Sequence, residues 1–170
     1  MKETKLLESP ELTDLTENKS DTTFPMKRIK MNILNVGFGI ICHQVNARGV
    51  MGAGLAGQVK QYFPGAFQDY RDAYDSGTLK LGNVVISQIK PYNFIAHIVG
   101  QHDYGRSAVF TNYQALGLAL SSLKTFRETL DRDVPIFFPY RMGSGLGGGK
   151  WRIVKDVIEE HFPDAIICQL

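Results

Sequence analysis

The sequence predicts an α/β sandwich built on a mixed six-stranded sheet. Apolar, β-branched runs alternate with helical patterns along the chain, giving six strands and about four helices. The third and fourth strands are separated only by Lys90-Pro91-Tyr92-Asn93, a hairpin turn that forces at least one antiparallel pair. The second strand, GIICHQV, is a continuous apolar run of the kind covered on both faces.

Taken in order, MKRIKMNIL (26–34) and GIICHQV (39–45) read as strands. GLAGQVKQYF (54–63) reads as a helix with Leu55, Val59 and Tyr62 on its apolar face. PGAFQDYRDAYDSG (64–77) follows as a second helix stopped by Gly77. NVVISQI (83–89) and FIAHIV (94–99) form the hairpin. TNYQALGLALSSLKTFRETL (111–130) is a long helix, VPIFFP (134–139) a strand, WRIVKDVIEEHF (151–162) a helix and AIICQL (165–170) the last strand. Residues 1–25 are rich in Glu, Asp, Lys, Thr and Ser and bury too little to offset their ordering entropy. They read as a flexible N-terminal extension, in which Ser9-Pro10-Glu11 leaves a short helix over Pro10 to Glu17 open. The folded domain spans residues 26–170.

The bulk composition excludes several classes. A net charge of +2 is too small for a nucleic-acid coat, so an anionic ligand must be met locally. Cys42 and Cys168 lie in apolar runs as reduced core thiols. The four histidines and two cysteines show no metal-ligand spacing, so no metal and no cofactor is expected. No apolar stretch is long enough to span a membrane and no signal peptide is seen, so a cytoplasmic, monomeric protein with no membrane partner is expected.

Function concentrates in two loops. NARGVMGAGLAG follows the second strand and YRMGSGLGGGKW follows the fifth, together holding nine of the seventeen glycines. Bare backbone at a strand end and a helix start turns N–H groups toward an anion, and the helix dipole adds to them. One such loop alone would read as a tight turn. Two, at the carboxyl ends of strands where ligands of such sheets bind, read as facing cradles for a diphosphate. Neither loop fits the P-loop or the dinucleotide-binding fingerprint.

GIICHQVNARGVMGAGLAGQVKQYFP together with FFPYRMGSGLGGGKWRIVKDVIEEHFP closely resembles macro domains. The similarity is strongest to the branch of ADP-ribose-1″-phosphate phosphatases and terminal ADP-ribose glycohydrolases, and it covers about residues 27 to 170. The resemblance implies a three-layer α/β/α fold with ADP-ribose or a derivative in a cleft. It places Asn46 at the distal ribose, Gly52, Ala53, Gly54 and Leu55 in the first loop, and Gly143, Ser144, Gly145, Leu146 and Gly147 around the diphosphate. Asn32 and Ile33 fall at the adenine site, and His43 matches a histidine of the hydrolase branch, where HxxN ends the strand. Nucleic acid enters only as an ADP-ribosylated substrate.

There are three departures from the family pattern: Asn32 replaces the adenine-site aspartate, Lys150 precedes Trp151 where an acidic residue is common, and the glycohydrolase aspartate and lysine are both missing. Gly147 stands at the first of those last two places and GQHDYG at the second, so a lysine-adduct mechanism is unsupported.

Two functions follow. In the first, an enzyme removes the 1″-phosphate, or an ADP-ribosyl group from a macromolecule, with His43 as general base and Asn46 as a catalytic donor. In the second, the domain captures ADP-ribose or a related NAD-derived signal without turnover. Tyr140 either stacks on adenine or packs on the sheet, and Trp151 anchors the last helix. His102, Asp103 and Arg106 lie on a rim loop, where they either contact phosphate and water or are simply solvated; Arg48 faces the same choice.

Overall fold

A computed structural model describes residues 26–105 and 108–170; the N-terminal extension, its candidate helix and Arg106 lie outside the described residues. The strands are β1 Lys27–Lys30, β2 Gly39–Asn46, β3 Val84–Lys90, β4 Asn93–Gln101, β5 Ile136–Pro139 and β6 Ile166–Gln169. They form one sheet in the order β1-β6-β5-β2-β4-β3. Every pair is parallel except the β3–β4 hairpin. The mixed sheet thus follows from one short turn: Tyr92 takes the left-handed conformation at φ 60° to close it.

The helices α1 Gly54–Tyr62, α2 Pro64–Asp75, α3 Tyr113–Glu128 and α4 Trp151–His161 cover both faces. Period-2 alternation in β2 and β4 sorts the two cores. Ile40, Cys42, Phe94, Ala96 and Ile98 pack with Leu116, Leu120 and Leu123 of α3 and Val154 and Ile158 of α4. Ile41, Val45, Ile95 and Val99 pack on the other face with Val59 of α1 and Ala66 and Tyr70 of α2. Leu116, Leu120 and Leu123 are fully buried, each worth about 1.5–3 kcal/mol in transfer free energy. Cys42 and Cys168 are free thiols. Burial raises both, Cys42 well above its ordinary value and Cys168 to about 12.

Two expectations are corrected. The first strand does not run to Leu34: Asn32 stops it, its side-chain oxygen accepting from Leu34 N at 3.0 Å to cap a 3₁₀ turn over Ile33–Asn35. On α1 the buried stripe passes from Leu55 and Ala56 through Val59 to Phe63, leaving Tyr62 63% exposed. An i, i+4 step from Val59 meets the sheet where i, i+3 points away. Among the described residues no helix is long and apolar enough to cross a membrane.

What positions the site is the adjacency of β2 and β5, with Ile40 opposite Ile136. Because the two strands are parallel, their carboxyl ends lie at the same edge of the sheet. The loop from β2 into α1 and the loop from β5 toward α4 therefore emerge side by side.

Candidate functional site

The two loops enclose one cleft of about 470 Å³ at this sheet edge, within the range of small-ligand sites. Gly52, Ala53, Gly54 and Leu55 line one wall; Gly143, Gly145, Leu146 and Gly147 line the other. His43, Asn46 and Tyr140 complete the predicted set. Asn32, Ile33 and Ser144 are not brought to the lining: Asn32 caps its own turn, Ile33 is buried in the core beneath α1 and α2, and the Ser144 hydroxyl is buried.

The first wall is a helix start. Ala53 in extended conformation precedes α1 and offers no side-chain cap. The amides of the first turn have no intrahelical acceptor and stand at the positive end of the dipole. Asn46 shapes this wall. Its side-chain oxygen accepts from Arg48 N at 2.9 Å and its amide donates to Val50 O at 2.9 Å, while the Tyr70 hydroxyl donates its one proton between the Asn46 backbone carbonyl at 2.7 Å and Oδ1 at 2.9 Å. Asn46 is therefore the pin of the first loop, with one remaining Nδ2 proton for a ligand.

The second wall is a run of open amides. Ser144, Gly148 and Gly149 donate to Arg141, Gly145 and Gly143 carbonyls, whereas among the described residues Gly145, Leu146 and Gly147 N–H groups meet no acceptor. Arg141 enters this turn at φ 64°. The loop is strapped from behind. Thr111 Oγ1 donates to Gly143 O at 2.7 Å, Phe110 and Thr111 amides donate to Gly147 O, and Gln44 Nε2 reaches Thr111 Oγ1 and Gln101 Oε1. Gly147 tolerates no side chain there, since a Cβ would lie 2.6 Å from Thr111 Oγ1 and 2.8 Å from Gly143 O. Gly145 is the opposite case: a Cβ there meets nothing within 4 Å.

Tyr140 both packs and lines the cleft. Its ring meets Trp151 edge-on at 5.4 Å, and the Arg28 guanidinium sits 4.7 Å over it. His43 is 1% exposed, with Nε2 2.7 Å from His97 Nδ1. Burial lowers His43 to about 3, so the ring is neutral at physiological pH. Arg48, His102 and Asp103 are exposed and do not line the cleft; Arg48 N donates to Asn46 Oδ1, and Asp103 Oδ1 accepts from Tyr104 N.

Sequence reasoning missed Gln44, Gln101, Thr111 and Arg141. Gln44 sits inside the apolar run of β2, and a polar residue in a doubly covered strand was the available signal. Among the described residues lining the cleft, none is Asp, Glu or Lys, and Arg141 is the one formal cation.

A family model described as Macro domain matches residues 42–158. A DNA ADP-ribosyl glycohydrolase from Thermus aquaticus is 25% identical over 142 residues, 79% of this chain and 37% of that protein. The chain thus spans little more than a third of that relative. Among solved structures, a protein of unknown function from Bacteroides thetaiotaomicron superposes with a TM-score of 0.76 at 24% identity, covering 86% of this chain and 99% of that one. Thermosipho africanus DarTG, solved in complex with ADP-ribose, superposes with a TM-score of 0.71 at 18% identity, covering 94% of this chain and 44% of that one. These likenesses show the fold.

Proposed function

Because the chain belongs to the macro domain family, we propose that its cleft binds ADP-ribose and hydrolyses a group attached to the distal ribose. The observation that carries the binding is the convergence of two sets of unpaired amides, the first turn of α1 and Gly145 to Gly147, on one cleft. A diphosphate placed between them is met by backbone dipoles and Arg141, which suits a protein of net charge +2. The distal ribose falls to Asn46 and His43, and the adenine end to Tyr140. The Thermosipho complex and the Thermus glycohydrolase support the ligand class.

For ADP-ribose-1″-phosphate, a water oxygen bonds to phosphorus, the bond from phosphorus to the ribose oxygen breaks, and that oxygen takes a proton. The cleft contributes donors for the charge that develops. With no carboxylate among the described lining residues, one proton of the water passes through a phosphate oxygen to the departing ribose oxygen and the other stays on the released phosphate.

The same lack of carboxylate and lysine favours a second reading, capture of ADP-ribose without turnover. One pair of measurements separates the two. Calorimetry should give micromolar or tighter ADP-ribose binding, about −8 kcal/mol, with AMP weaker. Release of phosphate from ADP-ribose-1″-phosphate, or of ADP-ribose from ADP-ribosylated DNA or protein, then marks the enzyme. Tight binding with no release from any substrate leaves capture, and no binding at millimolar ADP-ribose refutes both.

A further inference from the structure

Gln44 reaches the cleft from β2, and its side-chain amide donates both protons within the protein, one to Thr111 Oγ1 at 2.9 Å and one to Gln101 Oε1 at 2.8 Å. Gln101 Nε2 in turn donates to Asp103 O at 2.7 Å, and Thr111 Oγ1 lies 2.7 Å from Gly143 O. Thr111 is buried, and the second glycine loop is wrapped around its side chain. A Cβ on Gly147 would fall 2.6 Å from Thr111 Oγ1, one on Gly143 3.2 Å from the same oxygen, and one on Gly149 3.1 Å from Thr111 Cβ. Three glycines of this loop thus lie against one threonine.

The direction of these hydrogen bonds is set. An amide nitrogen only donates, so Thr111 Oγ1 accepts from Gln44 and its single proton goes to Gly143 O. Turning the Gln44 amide over would set its oxygen against Gln101 Oε1 at 2.8 Å, and turning Gln101 as well would set oxygen against Asp103 O at 2.7 Å. Gly143 O also accepts from Gly149 N at 2.8 Å, and Gly147 O accepts from Phe110 N at 2.8 Å and Thr111 N at 3.0 Å. Between these two held carbonyls lie the open amides of Gly145, Leu146 and Gly147, all residues of the cleft wall. Glycine gives up more backbone freedom on ordering than any other residue, so a loop of this composition needs an outside anchor to aim its amides before a ligand arrives.

We propose that Gln44 and Thr111 are positioning residues for the second cradle. Gln44 fills the acceptor side of the Thr111 hydroxyl and so commits its proton to Gly143 O, and that bond holds the amides of Gly145 to Gly147 ready for a diphosphate. With its other proton Gln44 holds Gln101, and through the Asp103 carbonyl the start of the segment that carries Tyr104 and Gly105 into the cleft lining. One side chain on β2 therefore ties the diphosphate wall to the rim beside it. The ligand half of the proposal rests on the ADP-ribose reading above; the anchoring of the loop in the free protein does not.

Thr111→Val keeps the branched shape and removes the hydroxyl, Thr111→Ser keeps the hydroxyl, and Gln44→Met removes both amide donors at similar length. Amide hydrogen exchange of the ligand-free proteins, read by NMR, reports the anchor. Protection of the Phe110, Thr111 and Gly149 amides should fall about tenfold in Thr111→Val and Gln44→Met, the scale of one lost hydrogen bond, and return in Thr111→Ser, with the amides of β6 unchanged. Calorimetry should show ADP-ribose weakened about tenfold in the first two variants and not in Thr111→Ser, while adenosine, which carries no phosphate, binds all four proteins alike. Unchanged exchange in Thr111→Val, or a Thr111→Ser protein no better protected than Thr111→Val, overturns the anchor, and these two variants decide it even where Gln44→Met does not fold. Adenosine weakened in step with ADP-ribose overturns the assignment to the diphosphate cradle. A wild-type protein that binds no ADP-ribose refutes the ligand reading, while the exchange data still decide the anchor.

Discussion

Acidification should destabilise this protein well before its carboxylates titrate, through the two histidines buried between β2 and β4. His43 is held at about 3 against an ordinary value of 6.5, because burial disfavours the imidazolium. The unfolded chain takes up that proton below pH 6.5, whereas the folded chain refuses it until about pH 3. The stabilising contribution is therefore complete above the unfolded value and falls as pH drops toward the folded one, at about 1.4 kcal/mol per unit. From about pH 7 to about pH 4.5 the loss for His43 is about 2.5 kcal/mol, and His97, lowered by burial in the same direction, adds to it. Asp164, whose hydrogen bond from Arg127 holds its carboxyl low, loses its contribution only below this window, and Tyr70, Cys42 and Cys168 are shifted upward, away from it. Urea unfolding followed by circular dichroism across this range measures the loss. A stability that changes by less than about 1 kcal/mol would refute burial of neutral rings at these positions, and His97→Gln should make the slope shallower.

Gly145→Val should leave the melting temperature nearly unchanged, since its Cβ meets no atom within 4 Å, yet weaken ADP-ribose at least tenfold in calorimetry. Gly147→Ala should instead lower the melting temperature, because the Thr111 and Gly143 atoms at 2.6 and 2.8 Å must move. Asn46→Ala removes the side-chain hydrogen bonds to Arg48 N and Val50 O, while the Tyr70 hydroxyl keeps the backbone carbonyl of residue 46 at 2.7 Å. It should cost about 2 kcal/mol in urea unfolding, at about 1 kcal/mol per lost bond, and also weaken ADP-ribose. Deleting residues 1–25 should change neither melting temperature nor ADP-ribose affinity, given a composition too polar to join the core; loss of soluble protein would show that the segment docks.

Much of this molecule was legible along the chain because its signals are local. The apolar run of β2, the hairpin turn at Tyr92, the Gly77 stop and the two glycine loops each declare themselves within a dozen residues, and the structure places an element or a loop at each. The likeness of both loops to macro domains named the cleft-lining backbone, from Gly52 to Leu55 and from Gly143 to Gly147 with Ser144 excepted. Local pattern misled where two local preferences compete: Asn32 was legible as a residue of the first strand, but its side chain bonds its own backbone and ends that strand. What lay beyond the sequence is the neighbourhood of strands. Period-2 alternation says which face a residue joins, not which strand lies beside it. Only the pairing of β2 with β5 brings the two loops together, and only the β2–β4 register sets His43 beside His97. The Gln44–Thr111–Gly143 strap likewise joins three segments far apart in the chain. Such pairings are set by the packing of whole helices on a sheet, a free energy summed over the entire core, and no short stretch of sequence contains it.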